Sequence, residues 1–310
     1  MRLIRGLHNL TETLPGCVAT IGNFDGLHLG HQYILEHVKR LADELQLPSV
    51  LVTFEPQPLE LFKPDKAPAR LTSLREKAIQ LDKLGIDYLV CLHFNESLSQ
   101  LSARAFVEQL LVGRLGVKAL VIGDDFRFGR GRDGDQQALE AYGREFGFSV
   151  TAMDVHALGD ERVSSTRIRE ALTGGELGTA AALLGRAYTN AGRIIHGDKR
   201  GRELGVPTLN IDLKRLHAPL KGVFASRVHR LATEPMPAIS YIGTRPVFGG
   251  ERLLLESHVF DYEAECYGRF AEIEYVARIR PDQVLESAAA LVQQMQIDMT
   301  QARTILGLPT

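Results

Sequence analysis

A chain of 310 residues, with 45% hydrophobic and 24% charged side chains, has the composition of a soluble globular protein and the length for two medium domains. A formal net charge of -2 sets up no basic field for a nucleic-acid backbone, and no apolar run reaches membrane-spanning length, so neither partner is expected. Cys17, Cys91 and Cys266 lie far apart and share no CxxC or Cys/His spacing, which argues against a disulfide framework or a zinc site and for reduced thiols in a cytoplasmic protein.

The first half alternates strands and helices. Cys17 to Ile21 is a short apolar strand that ends at Gly22. Ile34, Leu35, Val38, Leu41, Ala42 and Leu45 then mark one face of a helix. Ser49 to Phe54 is the next strand, and Leu74, Ala78, Leu81 and Leu84 mark a second helix. Tyr88 to Phe94 is a strand, and Ser102 can cap the helix carrying Phe106, Val107 and Leu110. A strand at Ala119 to Ile122, a helix near Gln136 to Phe146 and a strand near Ser149 to Ala152 follow. This rhythm predicts a Rossmann-like α/β domain: a parallel sheet with helices on both faces and ligands beyond the C-terminal strand ends.

The second half changes rhythm. After a helical stretch around Glu176 to Leu184, β-type segments follow one another without helices between them. They run at Ala191 to His196, Thr208 to Ile211, Val223 to Arg230, Ala238 to Ile242, Leu253 to Asp261 and Phe270 to Arg280. Gly and Pro punctuate them, which predicts a small antiparallel barrel or sandwich. An amphipathic helix with Val284, Ala288, Leu291 and Met295 closes the chain. The expected domains are 1-185 and 186-310.

Three segments carry chemistry. Gly22-Asn23-Phe24-Asp25-Gly26-Leu27-His28-Leu29-Gly30-His31 joins a strand to a helix start, where free backbone N–H groups bind anions. His28 and His31, three apart, face the same side and can donate hydrogen bonds to an α-phosphate under attack. Ser164, Ser165 and Thr166 at a later helix start can cap it or bind phosphate oxygens, with Arg169 one turn on. The third segment runs from Gly192 to Asn210. Its Gly192, His196, Gly197, Lys199, Gly201, Gly205 and Pro207 form a basic, glycine-rich loop suited to polyphosphate, although no Walker A pattern is present. Thr208 and Asn210 alternate along an apparent strand, so a hydroxyl and an amide oxygen share a face that suits Mg²⁺.

GNFDGLHLGH and VSSTRIR resemble the signature segments of the HxGH nucleotidyltransferases, above all the FMN adenylyltransferase module of bacterial bifunctional FAD synthases. Phe54-Glu55-Pro56-Gln57-Pro58 and Gly123-Asp124-Asp125-Phe126-Arg127-Phe128-Gly129 resemble further segments of that module. The resemblance implies a flavin pocket built from Phe54, Pro56, Pro58, Phe126 and Phe128. It also implies nucleotide contacts at Gly22, Asn23, Phe24, Gly30 and Asp125.

GRIIHGDKRGRELGVPTLN resembles the riboflavin kinase module, a small β-barrel fused to the adenylyltransferase in bacteria, as do LKGVFA, IGTRP and ESHVFDY. By that resemblance Glu256 is the catalytic base and Arg245 a flavin-binding residue. ATP is the co-substrate, riboflavin and FMN are the flavin substrates, and FMN and FAD are the products. Tyr241, Val247 and Ala264-Glu265-Cys266 depart from the usual pattern around the kinase segments.

Two rival readings make different demands. A nucleotidyltransferase for pantetheine phosphate or a nicotinamide nucleotide has no use for GRELGVPTLN or ESHVF. A flavin sensor without catalysis need not keep His28, His31, Thr208, Asn210 and Glu256, all of which are present. Whether the protein forms a homo-oligomer is left open by the sequence.

Overall fold

Central strands that are apolar on both sides must be covered on both faces, and the first half satisfies this. The structure is a computed structural model that describes all residues except 11–13, 155–156, 159–160, 198–205, 216, 248–249, 263, 284–285 and 310. Six strands pair in parallel: β1 (Arg2–Arg5), β2 (Cys17–Ile21), β3 (Ser49–Glu55), β4 (Tyr88–His93), β5 (Val117–Gly123) and β6 (Ser149–Met153). Their spatial order is β1-β4-β3-β2-β5-β6.

Alternate residues of β2 serve opposite layers. Val18 packs with Val38 and Ala42 of helix α1 (Leu29–Leu45), whereas Cys17, Ala19 and Ile21 join the layer that holds Phe106, Leu111, Leu139 and Phe148. Burial of Cys17 pushes its thiol up to about 12, so it behaves as an inert core residue. The order reverses between β2 and β5, which places the switch point of the sheet beside the end of β2.

The expected elements recur with small shifts. Ser102 caps α5 (Ala103–Phe106), its side chain accepting from the N–H of Ala105 at 3.2 Å, and the chain continues as a π-helical turn over Val107–Val112. Several short elements were not anticipated. The edge strand β1 is mostly exposed and carries two arginines, so it lacks an apolar signature. Helix α2 (Pro58–Phe62) is only five residues long, and it follows a cis Glu55–Pro56 bond. The other helices of this half are α3 (Leu74–Lys83), α4 (Glu96–Ser99) and α6 (Gln136–Phe146). Two short strands, β7 (Ala157–Leu158) and β8 (Glu161–Arg162), pair with each other before α7 (Ser165–Gly174) and α8 (Leu177–Leu184).

The second half is a closed antiparallel barrel rather than a sandwich. Its strands are β9 (Thr189–Ile195), β10 (Leu209–Ile211), β11 (Gly222–His229), β12 (Met236–Val247), β13 (Gly250–Val259) and β14 (Phe270–Arg280), in the order β10-β13-β12-β11-β14-β9. Strand β10 begins at Leu209, so Thr208 immediately precedes it instead of opening it. Apolar residues fill the interior together with buried polar side chains. Ser226, Ser240 and Ser257, all fully buried, link β11, β12 and β13 through hydroxyl contacts of 2.7 Å each.

Helix α9 (Ala288–Leu306) packs on the outside of the barrel. Ala302 is buried, and Met299 and Leu306 lie against Ala225, Ile239 and Phe260. The face expected from Val284, Ala288, Leu291 and Met295 starts too early. Leu291 is exposed, the contact is carried by the C-terminal turns, and Val284 lies outside the described residues.

Asp298, buried on this helix, accepts both bonds of a fork from Arg280 Nε at 3.1 and 2.9 Å and a third from Gln294 at 2.8 Å. Removing one member of such a pair leaves the other charge unsatisfied. Asp298→Ala is expected to lower stability by about 3 kcal/mol, read as a reduced urea midpoint at unchanged slope.

Two compact units result, Met1–Pro68 with Leu74–Ser164, and Ala69–Ser73 with Ser165–Thr310. The short segment joins the second unit through its carbonyls: Ala69 accepts from Arg169 Nε at 2.6 Å, Arg70 from Arg215 at 3.1 Å and Leu71 from the Tyr188 hydroxyl at 3.2 Å. Among the described residues no helix is long and apolar enough to cross a membrane.

Candidate active sites

The loop after β2 folds back on itself before the helix begins. Phe24, Gly26 and Leu27 all adopt positive φ, at 44°, 87° and 48°, which curls the chain tightly beyond the C-terminal end of the sheet. His28 is the N-cap of α1, its Nδ1 accepting from the backbone N–H of His31 at 3.3 Å. The two imidazoles stack with centroids 3.6 Å apart at 18°, and Phe24 closes the other side of His31 at 4.6 Å. His31 is therefore held between two rings at a helix N-terminus. Gly30 makes the arrangement fit, because a Cβ there would press on the His28 ring at 3.3 Å.

His31 Nδ1 is buried and has no hydrogen-bond partner among the described residues. Burial, then the charges of His28 and Lys77, hold its imidazole well below the usual histidine range, so it is neutral at pH 7. An unfolded histidine takes up a proton near its ordinary value, whereas folded His31 resists protonation. Between the folded value and the ordinary one the unfolded state binds more protons, so stability falls as pH drops through that window. His31→Gln is expected to lose less stability than the native protein between about pH 7.5 and about pH 5.5, as measured by urea unfolding.

Lys77 of α3 lies at the site, and the expectations did not include it. It is buried, and its ammonium reaches the Asn23 carbonyl and, at 3.1 Å, the Thr53 hydroxyl. It thereby ties the curled loop to β3 and places a cation behind His31. Its sequence signal was present: Lys77 sits at i+3 from Leu74, inside the helix stripe that also carries Ala78 and Leu81.

The expected flavin residues converge at the same end of the sheet. Phe54, next to last in β3, meets Phe94 edge-on at 5.7 Å, and Phe126 stacks on Phe128 at 5.7 Å after β5. Phe54, Phe126 and Phe128 belong to one apolar cluster. Pro56 carries the cis bond, and Pro58 opens α2. Asp125 is exposed and pairs with Arg162 at 2.7 Å, which brings two distant motifs together. Val163 is buried and Ser164 half-buried, with the Val163 carbonyl 3.7 Å from where a Cβ of Gly30 would stand. Ser165, Thr166 and Arg169 open α7, in the second unit.

On the barrel, register builds the second site. Asn210 of β10 lies directly opposite Glu256 of β13, and Glu256 lies directly opposite Tyr241 of β12. Directly opposed residues point to one side of a sheet. Their strand neighbours Leu209, Ile211, Leu255, Ser257, Ser240 and Ile242 are buried inside, so the row Asn210, Glu256, Tyr241 faces outward, on the same side as the residues beneath α9. The Asn210 amide rests on Gly197, where any Cβ would collide with it. Pro207 offers its carbonyl to His258 Nδ1 at 2.8 Å, next to half-buried Thr208.

Other expected residues have different surroundings. His196 stacks on Tyr267 at 3.8 Å. Gly192 is buried in β9 against the Asp212 carbonyl, a close approach that only glycine permits. Arg245 stands opposite Arg252 on β13, and its side chain lies outside the described residues, as do Lys199, Gly201 and Gly205 entirely.

Comparison with known proteins agrees with this division. Residues 10–167 match the family model of FAD synthetase, and residues 184–306 match that of riboflavin kinase. The chain is 45% identical over 309 residues to the bifunctional riboflavin kinase/FMN adenylyltransferase of Escherichia coli K12, covering 99% of both chains. It is 44% identical over 307 residues to the protein of that name from Haemophilus influenzae, covering 99% of this chain and 100% of the relative. Among solved structures, a Streptococcus pneumoniae protein described as a macrolide-efflux protein superposes with a TM-score of 0.77 at 27% identity, covering 98% of this chain and 99% of that one. The chain belongs to the family of bifunctional riboflavin kinase/FMN adenylyltransferases.

Proposed function

We propose that residues 186-310 of this chain phosphorylate riboflavin to FMN and that residues 1-185 adenylylate FMN to FAD, in the cytoplasm. The observation that carries this reading is the presence of two unlike sets of phosphate chemistry. One is a stacked histidine pair at a helix start beyond a parallel sheet. The other is a carboxylate beside an amide on an outer barrel wall.

In adenylyl transfer an FMN phosphate oxygen attacks the α-phosphorus of ATP, and the bond to the β-phosphate breaks to release pyrophosphate. The substrate supplies the nucleophile. The protein's part is to hold the phosphate and meet growing negative charge with N–H donors. Neutral His31 carries one N–H and needs no counter-anion to do so. The N-terminal amides of α1 and the His28 ring border the same space. Phe54, Pro56, Pro58, Phe126 and Phe128 would hold the flat flavin ring. The roles of Ser164, Ser165, Thr166, Arg169 and Asp125 toward the nucleotide rest on the family resemblance.

In the kinase reaction Glu256 takes the proton of the terminal ribityl hydroxyl as that oxygen attacks the γ-phosphorus of ATP, and ADP leaves. Thr208 and Asn210 offer neutral oxygens beside Glu256, and among the described residues no cluster of three His, Cys, Asp or Glu side chains competes as a cation site. A sparse oxygen set completed by water and phosphate fits Mg²⁺, which supplies charge neutralisation to a polyphosphate when bound. Purified protein given riboflavin, ATP and Mg²⁺ should yield both FMN and FAD by chromatography. Absence of both products overturns the reading.

A further inference from the structure

Tyr241 stands next to the proposed base and takes no part in the chemistry described so far. It is directly opposite Glu256 across β12 and β13, so the two Cβ atoms lie about 5 Å apart. Asn210 flanks Glu256 on the other side. Asn210, with Gly197 against it, therefore occupies one side of the carboxylate, where the proposed polyphosphate would sit, and Tyr241 occupies the other. The attacking hydroxyl must reach Glu256 from the side away from the phosphates, because attack and departure at phosphorus are in line.

The phenol is held in a fixed pose. Its ring runs along the strand over Gly243, where any Cβ would collide with the hydroxyl. Its hydroxyl donates to the Asp282 carboxylate, 3.2 Å from each oxygen. Asp282 follows β14 on the segment that leads to α9. A phenol has one proton, and here it is committed to Asp282, so what remains at that oxygen is lone-pair acceptor capacity. Burial, the charge and hydrogen bond of Asp282, and the charge of Glu256 push its ionisation up to about 12, so the phenol keeps that proton at working pH.

We propose that Tyr241, oriented by Asp282, is an acceptor-side specificity residue of the kinase site, accepting a hydrogen bond from a secondary hydroxyl of the polyol chain whose terminal hydroxyl faces Glu256. The ligand class is a polyhydroxylated alkyl chain on a flat ring, as in riboflavin. The inference rests on the kinase reading given above.

The test compares Tyr241→Phe with the native protein on riboflavin and on a flavin bearing a plain 5-hydroxypentyl chain, with Glu256→Gln alongside. One neutral hydrogen bond is worth about tenfold in binding. Tyr241→Phe should raise KM for riboflavin about tenfold and leave KM for ATP in place, with the loss recovered at saturating riboflavin. It should also shrink the preference for riboflavin over the plain-chain flavin by about the same factor, which a general loosening of the barrel would not do. Gly243→Ala, which displaces the hydroxyl, should reproduce the KM effect. A native urea transition reports that the barrel of each variant is folded. If Glu256→Gln is inactive as a kinase and Tyr241→Phe leaves both KM and the preference unmoved, the inference falls and the kinase reading stands. If Glu256→Gln retains phosphorylation, the site itself is misassigned.

Discussion

Glu256→Gln should lose FMN formation by about 10²- to 10⁴-fold while still converting supplied FMN to FAD. Glutamine keeps the size and one oxygen of the side chain but cannot take up the proton, so the loss isolates base function from packing. Register makes the separation of activities strict. Glu256 is fixed between Asn210 and Tyr241 on the barrel wall, and the histidine pair belongs to the other unit. The measurement is two assays on one preparation, riboflavin plus ATP and FMN plus ATP, with products separated by chromatography. A variant that loses both activities while keeping a native urea transition would show that the two sites are not independent. Glu256→Asp, which draws the carboxylate back by one methylene, should fall between native and Gln if reach to the hydroxyl matters.

Much of the architecture was readable from local pattern. The alternation of strand and helix before residue 185, and of strand with turn after it, follows from periods that each segment carries by itself. Ser102 shows the same at the scale of one residue, since a serine before an apolar helix has one obvious task. Pairing across distance was not readable. Asn210 and Glu256 are far apart in sequence, and nothing in either segment states that they are directly opposed or that their row faces outward. The buried chain of Ser226, Ser240 and Ser257 adds to this difficulty, because serines in β-segments look like solvent-facing positions.

The helix α9 illustrates the opposite error. Its apolar stripe is genuine, but which turns are covered depends on where the barrel ends, and Leu291 near its N-terminus is left exposed. Lys77 carries a signal in the sequence itself. A lysine inside an apolar stripe has to be compensated, and here its partners include Asn23, in the loop after β2, and Thr53 of β3.

His28→Ala and His31→Ala should each slow FMN adenylylation by about 10²- to 10³-fold, with riboflavin phosphorylation intact and FMN accumulating. The double variant should be little worse than the poorer single one. The reason is mechanical. The His28 ring caps the backbone of His31 at 3.3 Å and stacks on its side chain at 3.6 Å, so either truncation disturbs both groups. Residues that act as one unit give strongly non-additive losses. The measurement is a double-mutant cycle on kcat/KM for FMN. If the losses simply multiply, the two imidazoles act independently and the stacked pair is only a packing arrangement. Gly30→Val gives a third handle on the same unit, since its side chain would push against the His28 ring without removing either imidazole. It should lower adenylylation in the same direction as the histidine variants while both titratable rings remain. That outcome would place the demand on the geometry of the pair rather than on the mere presence of two imidazoles.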